Sequence, residues 1–275
     1  MGVRISPPVR EAVEIQLFLF LTCFIFLFSV QILLHMNVDA FIPCFIDQLY
    51  PQTAYNFIRV LETAGCKIRY NPEQTCCGQP SFNSGYWKET KTLAAKFLSD
   101  FEKSEIIISP SASCTGFIKN YYKKVFADDA VFLSKVTDLT PRIFEFSDFL
   151  VNQIHKVDFG AVFNHKVTFH DSCAGLREYG IKKEPRLLLE NVRGLELIEM
   201  DNLETCCGFG GTFSAKFHSI STAMTEQKVE HAIKTGAEYI VSTEASCLMN
   251  IEAHIKKQKL PVKTIHLADV LANSI

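Results

Sequence analysis

ETCCGFGGTF at residues 204–213 repeats QTCCGQPSF at residues 74–82, and this echo decides how the rest of the chain is read. Two further fragments recur around it in the same order. FIPC at 41–44 matches HDSC at 170–173, and ISPSASC at 108–114 matches VSTEASC at 241–247. The offset between partners holds near about 130 residues, as expected when one structural unit is present twice. Every fragment carries cysteine, so the repeat preserves a constellation of side chains as well as a fold.

Outward from the fragments, short apolar runs alternate with amphipathic stretches. In the first unit the pattern predicts strands at 38–43, 67–70 and 105–109, and helices at 52–63, 87–101 and 115–125. Ala54, Phe57, Ile58 and Leu61 share one face of the first helix, and Gly65 ends it. The second unit repeats the order, with strands at 167–170, 195–200 and 239–242, helices at 185–192, 215–234 and 248–257, and a last strand at 262–267. Such alternation predicts an α/β fold of two tandem, pseudo-symmetric parallel units. The first spans 36–155 and the second 165–275, with the boundary near 154–164.

Each motif cysteine follows a predicted strand. In open parallel sheets, functional groups collect beyond the carboxyl ends of the strands. The pattern therefore gathers Cys44, Cys76, Cys77 and Cys114 in one unit, and Cys173, Cys206, Cys207 and Cys247 in the other. Vicinal cysteines bridge one another only with strain and close no useful loop. Two adjacent thiolates instead suit a metal centre. With 48% hydrophobic residues over 275 positions, the chain has apolar content enough to fold without disulfide staples. Four thiolates can hold zinc or an iron–sulfur cluster. Zinc knuckles pair their cysteines at short spacing, whereas these are scattered over about seventy residues, which favours iron–sulfur over zinc. Gly78 and Gly208 stand where the chain must turn sharply past such a centre.

Other classes find less support. A net charge of −2 with dispersed Lys and Arg argues against nucleic acid as a partner. No glycine-rich phosphate loop appears, so nothing points to a nucleotide or flavin. The 23 phenylalanines read as core. Residues 15–34, IQLFLFLTCFIFLFSVQILL, are long and apolar enough to span a membrane. No linker separates them from the first strand, so residues 1–35 are read as an extension preceding a working start at Met36. Membrane association is expected only if 15–34 is a true anchor, and Cys23 within it is not counted as a ligand.

At the repeated motif the chain resembles the CCG, or cysteine-rich, domain family, over nearly all of 36–275. That family includes the cysteine-rich subunit of heterodisulfide reductase, the iron–sulfur subunit of glycolate oxidase, and the lactate-utilization protein A group, to which this short double-unit chain is most similar. The resemblance implies a cytoplasmic redox subunit of a system oxidising L-lactate to pyruvate, with one or two four-iron, four-sulfur clusters on the eight cysteines. It also implies two partners, a ferredoxin-like iron–sulfur subunit and a third small subunit. A related subunit serving glycolate or a disulfide, and a zinc-stabilised assembly scaffold, are the rival readings. The family's motif ends in Cys-x-x-Cys, but here Ser111 and Glu244 replace the first cysteine of that pair. This puts the cluster chemistry of the heterodisulfide reductase branch in doubt. Glu244 reads as a solvated side chain or a helix N-terminal partner in preference to an oxygen ligand. His170 and Asp171 either tune a centre or end a strand and cap a helix. Arg177, Cys66, His218, His231 and His254 read as surface or packing residues.

Overall fold

The computed structural model describes residues 36–275. The extension at 1–35, with Cys23 and the apolar stretch at 15–34, lies outside the described residues. Two four-stranded sheets form, all parallel. In the first, β1 (Met36–Ala40) is flanked by β2 (Cys66–Tyr70) and β3 (Ile107–Ser109), and β4 (Ile143–Glu145) adds beside β3. In the second, β5 (Lys166–Phe169), β6 (Glu196–Leu197), β7 (Tyr239–Ser242) and β8 (Lys263–His266) take the same places. The strand order is thus identical in both units, as the repeat requires.

The first unit's helices are α1 (Cys44–Leu49), α2 (Pro51–Thr63), α3 (Gln79–Asn83), α4 (Trp87–Asp100), α5 (Ala112–Val125) and α6 (Ala130–Leu139). A helical turn at Phe146–Asp148 runs into a π-helical turn at Phe149–Gln153. The second unit opens with a π-helical turn, Gly175–Tyr179. It continues with α7 (Lys183–Glu190), α8 (Thr212–Lys216), α9 (His218–Lys234), α10 (Ala245–Gln258) and α11 (Leu267–Leu271).

Alternation along the strands sends side chains to two cores. Val38, Ala40 and Ile108 of the first sheet share one buried cluster with Val167, Phe169 and Val241 of the second. Phe57 meets Phe146 edge-on within it, at 5.2 Å between centroids. Residues on the opposite strand faces build separate cores, around Phe41, Ile107 and Phe117 in the first unit and Ile240, Val229 and Ile251 in the second. The units are therefore fused through a common interior, and their relative placement is fixed by packing.

The structure departs from the sequence expectation in places. The predicted helix at 215–234 breaks at Phe217 into α8 and α9, and β6 is only two residues long. Helix α5 begins at Ala112 because Ser111 caps it, accepting from the Cys114 N–H at 3.3 Å. Helix α6 and strand β4 are additions to the predicted elements. β4 is three residues long, too short to show a period, yet it is the counterpart of β8.

Candidate metal centres

The four cysteines of each unit come from three places at one sheet end. Cys44 opens α1, directly after the turn that leaves β1. Cys76 and Cys77 lie in the loop after β2, and Cys114 lies in the first turn of α5. Cys173 follows β5, Cys206 and Cys207 lie in the loop after β6, and Cys247 lies in the first turn of α10. Both Cys-Cys-Gly loops turn through a left-handed glycine, Gly78 at φ 90° and Gly208 at φ 87°. At Gly208 a Cβ would also lie 2.5 Å from the Ser221 carbonyl oxygen, so no larger residue fits. These turns aim a backbone N–H at the first thiol of each pair. Gly78 N–H donates to Cys76 Sγ and Gly208 N–H to Cys206 Sγ, both at 3.4 Å. The carbonyl of each second cysteine is held by a following helix. Tyr122 Oη donates to Cys77 O at 2.8 Å, while Thr225 Oγ1 and Asn250 Nδ2 donate to Cys207 O at 2.8 and 3.1 Å.

Within each unit the sulfurs draw together. Cys77 Sγ reaches Cys114 Sγ at 3.3 Å, and Cys207 Sγ and Cys247 Sγ lie within 4.8 Å of one another. Cys44 and Cys76 influence each other's protons, as do Cys173 and Cys206. The contacts sort the protons. Hydrogen bonds from Cys44 and Cys77 hold Cys76 down at about 3, and those from Cys173 and Cys207 hold Cys206 at about 2. The donors move the opposite way: hydrogen bonding to Cys76, with burial, raises Cys44, and the same two causes around Cys206 raise Cys173. Among the described residues all the cysteines are free thiols.

Such sets fit a thiolate-bound metal group: convergent sulfur donors, Cys77, Cys207 and Cys247 buried and the others half-buried, with one thiol per unit poised to ionise. Sulfurs around a single tetrahedral ion lie about 3.8 Å apart, close to the Cys77–Cys114 separation. An iron–sulfur cluster places its irons between the thiolates and needs more room. A single cleft of 440 Å³ supplies that room and is lined by all eight motif cysteines. Phe45 and Phe209 meet edge-on across it, at 5.6 Å. The two cysteine sets therefore open onto one shared space.

The cysteine-rich domain family, CCG, matches residues 38–119 and again 167–252. The chain belongs to the CCG family. Among curated proteins it is similar to lactate utilization protein A 1 of Bacillus mycoides (strain KBAB4), with 41% identity over 86% of this chain and 96% of that relative. It is also similar to lactate utilization protein A of Geobacillus sp. (strain WCH70), with 40% identity over 86% of this chain and 99% of the relative. A solved structure, a hypothetical protein from Helicobacter pylori, shares the fold at TM-score 0.55 and 12% identity. That likeness covers 86% of this chain, which spans 48% of the other. Among the described residues no helix is long and apolar enough to cross a membrane.

Beyond the family motif, the surroundings of the two sets differ. In the first, Cys76, Cys77 and Cys114 share one apolar cluster with Phe82 and Phe117. The second adds two buried polar side chains. His170 is 0% exposed, and burial pulls its imidazole down to about 3, so the ring is neutral. A ring nitrogen, Cys207 Sγ and Cys247 Sγ all lie within 4.8 Å of one another. Lys228 of α9 is also buried, donates to the Asn202 and Leu203 carbonyls at 2.9 Å each, and is lowered to about 8 by burial. Lys228 escaped the sequence reading; its one visible signal is a lysine on the buried face of a helix.

The remaining candidates resolve as structure. Asp171 accepts both Nη atoms of Arg186, at 3.0 and 2.9 Å. Arg177 reaches the Glu204 carbonyl at the surface. Cys66 sits in the shared core away from both sets, and burial raises it to about 11. His231 bonds the Asp201 carbonyl, while His218 and His254 line a separate surface hollow. Glu244 is buried, contrary to the solvated alternative. Its carboxylate accepts from Ser111 Oγ and from the Ser113 N–H at 2.9 Å, so it caps the helix of the other unit.

Proposed function

We propose that the chain is the iron–sulfur redox subunit of a multi-subunit system that oxidises L-lactate to pyruvate. The observation that carries this reading is the pair of four-thiol sets, Cys44, Cys76, Cys77, Cys114 and Cys173, Cys206, Cys207, Cys247, opening onto one cleft. The names of the relatives supply the substrate. A bound iron–sulfur cluster supplies one-electron transfer. The chain's own residues hold it: the eight cysteines supply the thiolates, and the Gly78 and Gly208 N–H groups donate to Cys76 and Cys206. In this reading a partner subunit takes the hydride from lactate, and the cysteine-bound group passes the electrons on. The partners in this reading are a ferredoxin-like iron–sulfur subunit and a third small subunit, in the cytoplasm. The close approach of Cys77 to Cys114 favours a second reading, a single zinc ion per unit in an assembly scaffold.

Anaerobic purification separates the two. Iron and sulfide in the protein, with absorbance at about 400 nm, are expected, and Cys206→Ala should remove the second unit's share while Cys76→Ala removes the first's. Growth on L-lactate should fail in both variants. Zinc in place of iron, with growth retained, would sink the redox reading.

A further inference from the structure

The repeat allows the two sites to be compared position by position. The residue three places before the first motif cysteine is Phe41 in one unit and His170 in the other. Phe41 is plain core, edge-on to Phe97 at 4.9 Å and to Phe101 at 5.8 Å. His170 occupies the matching strand end, and neither ring nitrogen has a hydrogen-bond partner among the described residues. A buried polar group left unpaired carries a stability cost that a phenylalanine at this position would avoid. The ring is instead directed at sulfur, within the 4.8 Å cluster it makes with Cys207 and Cys247. Ligand atoms around one first-row ion lie about 3.3–3.8 Å apart, so small side-chain rotations bring all three onto one metal.

We infer that His170 is a nitrogen donor to the metal group of the second unit. The two sites are then chemically different: sulfur alone serves the first, sulfur and imidazole the second. This inference rests on the proposal that the cysteines hold iron. The Lys228 ammonium also lies near these thiols, with no such cation among the groups that shift Cys44, Cys76 and Cys77 of the first set. Its positive charge raises the reduction potential of the second site above that of the first.

The test uses the full chain, purified anaerobically from cells supplied with ¹⁵N-histidine, reduced with dithionite and studied by pulsed electron paramagnetic resonance. The expected result is a directly bound ¹⁵N coupling on one of two signals. It should persist in Cys76→Ala and disappear in His170→Phe and His170→Gln. The coupled signal should also be the one of higher potential in a redox titration. Iron-replete protein without any histidine coupling overturns the assignment of His170 and leaves the cysteine-bound cluster standing. Coupling that survives both His170 variants overturns it too. Protein that binds no iron overturns the cluster and the inference together.

Discussion

Glu145 gives a quantitative handle on the joint between the units. It is the last residue of β4 and is 0% exposed. One carboxylate oxygen accepts from the Ser147 and Asp148 N–H groups at 2.7 and 3.1 Å, and the other has no partner among the described residues. Burial outweighs those hydrogen bonds and pushes the carboxyl up to about 8 from an ordinary 4.5. Between these values the folded chain keeps a proton that the unfolded chain has lost. Stability from this group is therefore full at acid pH and declines as pH rises through the folded value. From about pH 6 to about pH 8 the decline is about 2 kcal/mol. Cys76 and Cys206 are held low, so their contribution runs the other way and is lost as pH falls. The assay must therefore isolate Glu145. Urea unfolding of wild type and Glu145→Gln at both pH values does so, because glutamine keeps the shape and does not titrate. Wild type should lose about 2 kcal/mol relative to the variant on going to the higher pH. A difference that stays flat, or grows with pH, would refute a neutral buried carboxyl at this position.

Two other substitutions probe the frame around the cysteines. Glu244→Ala strips the acceptor from Ser111 Oγ and from the Ser113 N–H, and should cost about 2–4 kcal/mol in urea unfolding; an unchanged midpoint would mean that the bridge contributes nothing. Cys66→Ala removes a buried thiol remote from both sets and should cost about 1 kcal/mol, with metal content unchanged. Metal loss in that variant would show that the site extends beyond the motif cysteines.

Much of this architecture is legible because it is written twice. The Cys-Cys-Gly echo identifies the units, and the period of Ala54, Phe57, Ile58 and Leu61 marks α2, whose Phe57 and Leu61 are buried in the shared core. What escapes is short or non-local. β4 and β6 hold three and two residues, and edge strands of that length carry no readable alternation. Glu244 is legible only against its own helix, but its partners Ser111 and Ser113 lie in the other unit, and no local pattern announces such a contact. His170 stays open between a functional and a structural reading, because whether its ring meets thiols or a strand neighbour depends on how β5 lies against α10. Lys228 is invisible for the same reason, since its acceptors sit in the loop before Cys206.

The cross-links between the units run through the segments that carry the cysteines. Glu145, at the end of the first sheet, donates its N–H to Tyr179 Oη at 2.9 Å, and Tyr179 lies in the π-helical turn just after Cys173. His266 Nε2, at the matching end of the second sheet, lies 3.1 Å from the Pro110 carbonyl, just ahead of Ser111 and Cys114. Glu244 then caps the helix that carries Cys114. The seam is close enough that a Cβ on Gly116 would come within 3.3 Å of Glu178. Each unit thus braces a cysteine-bearing loop of the other, so neither set keeps its full support if the units are separated. The same bracing fixes the distance between the two sets across the cleft. Under the proposed function, electrons would cross a rigid gap whose two sides differ in chemistry, with His170 and Lys228 buried at the second set and Phe41 standing at the position that matches His170 in the first.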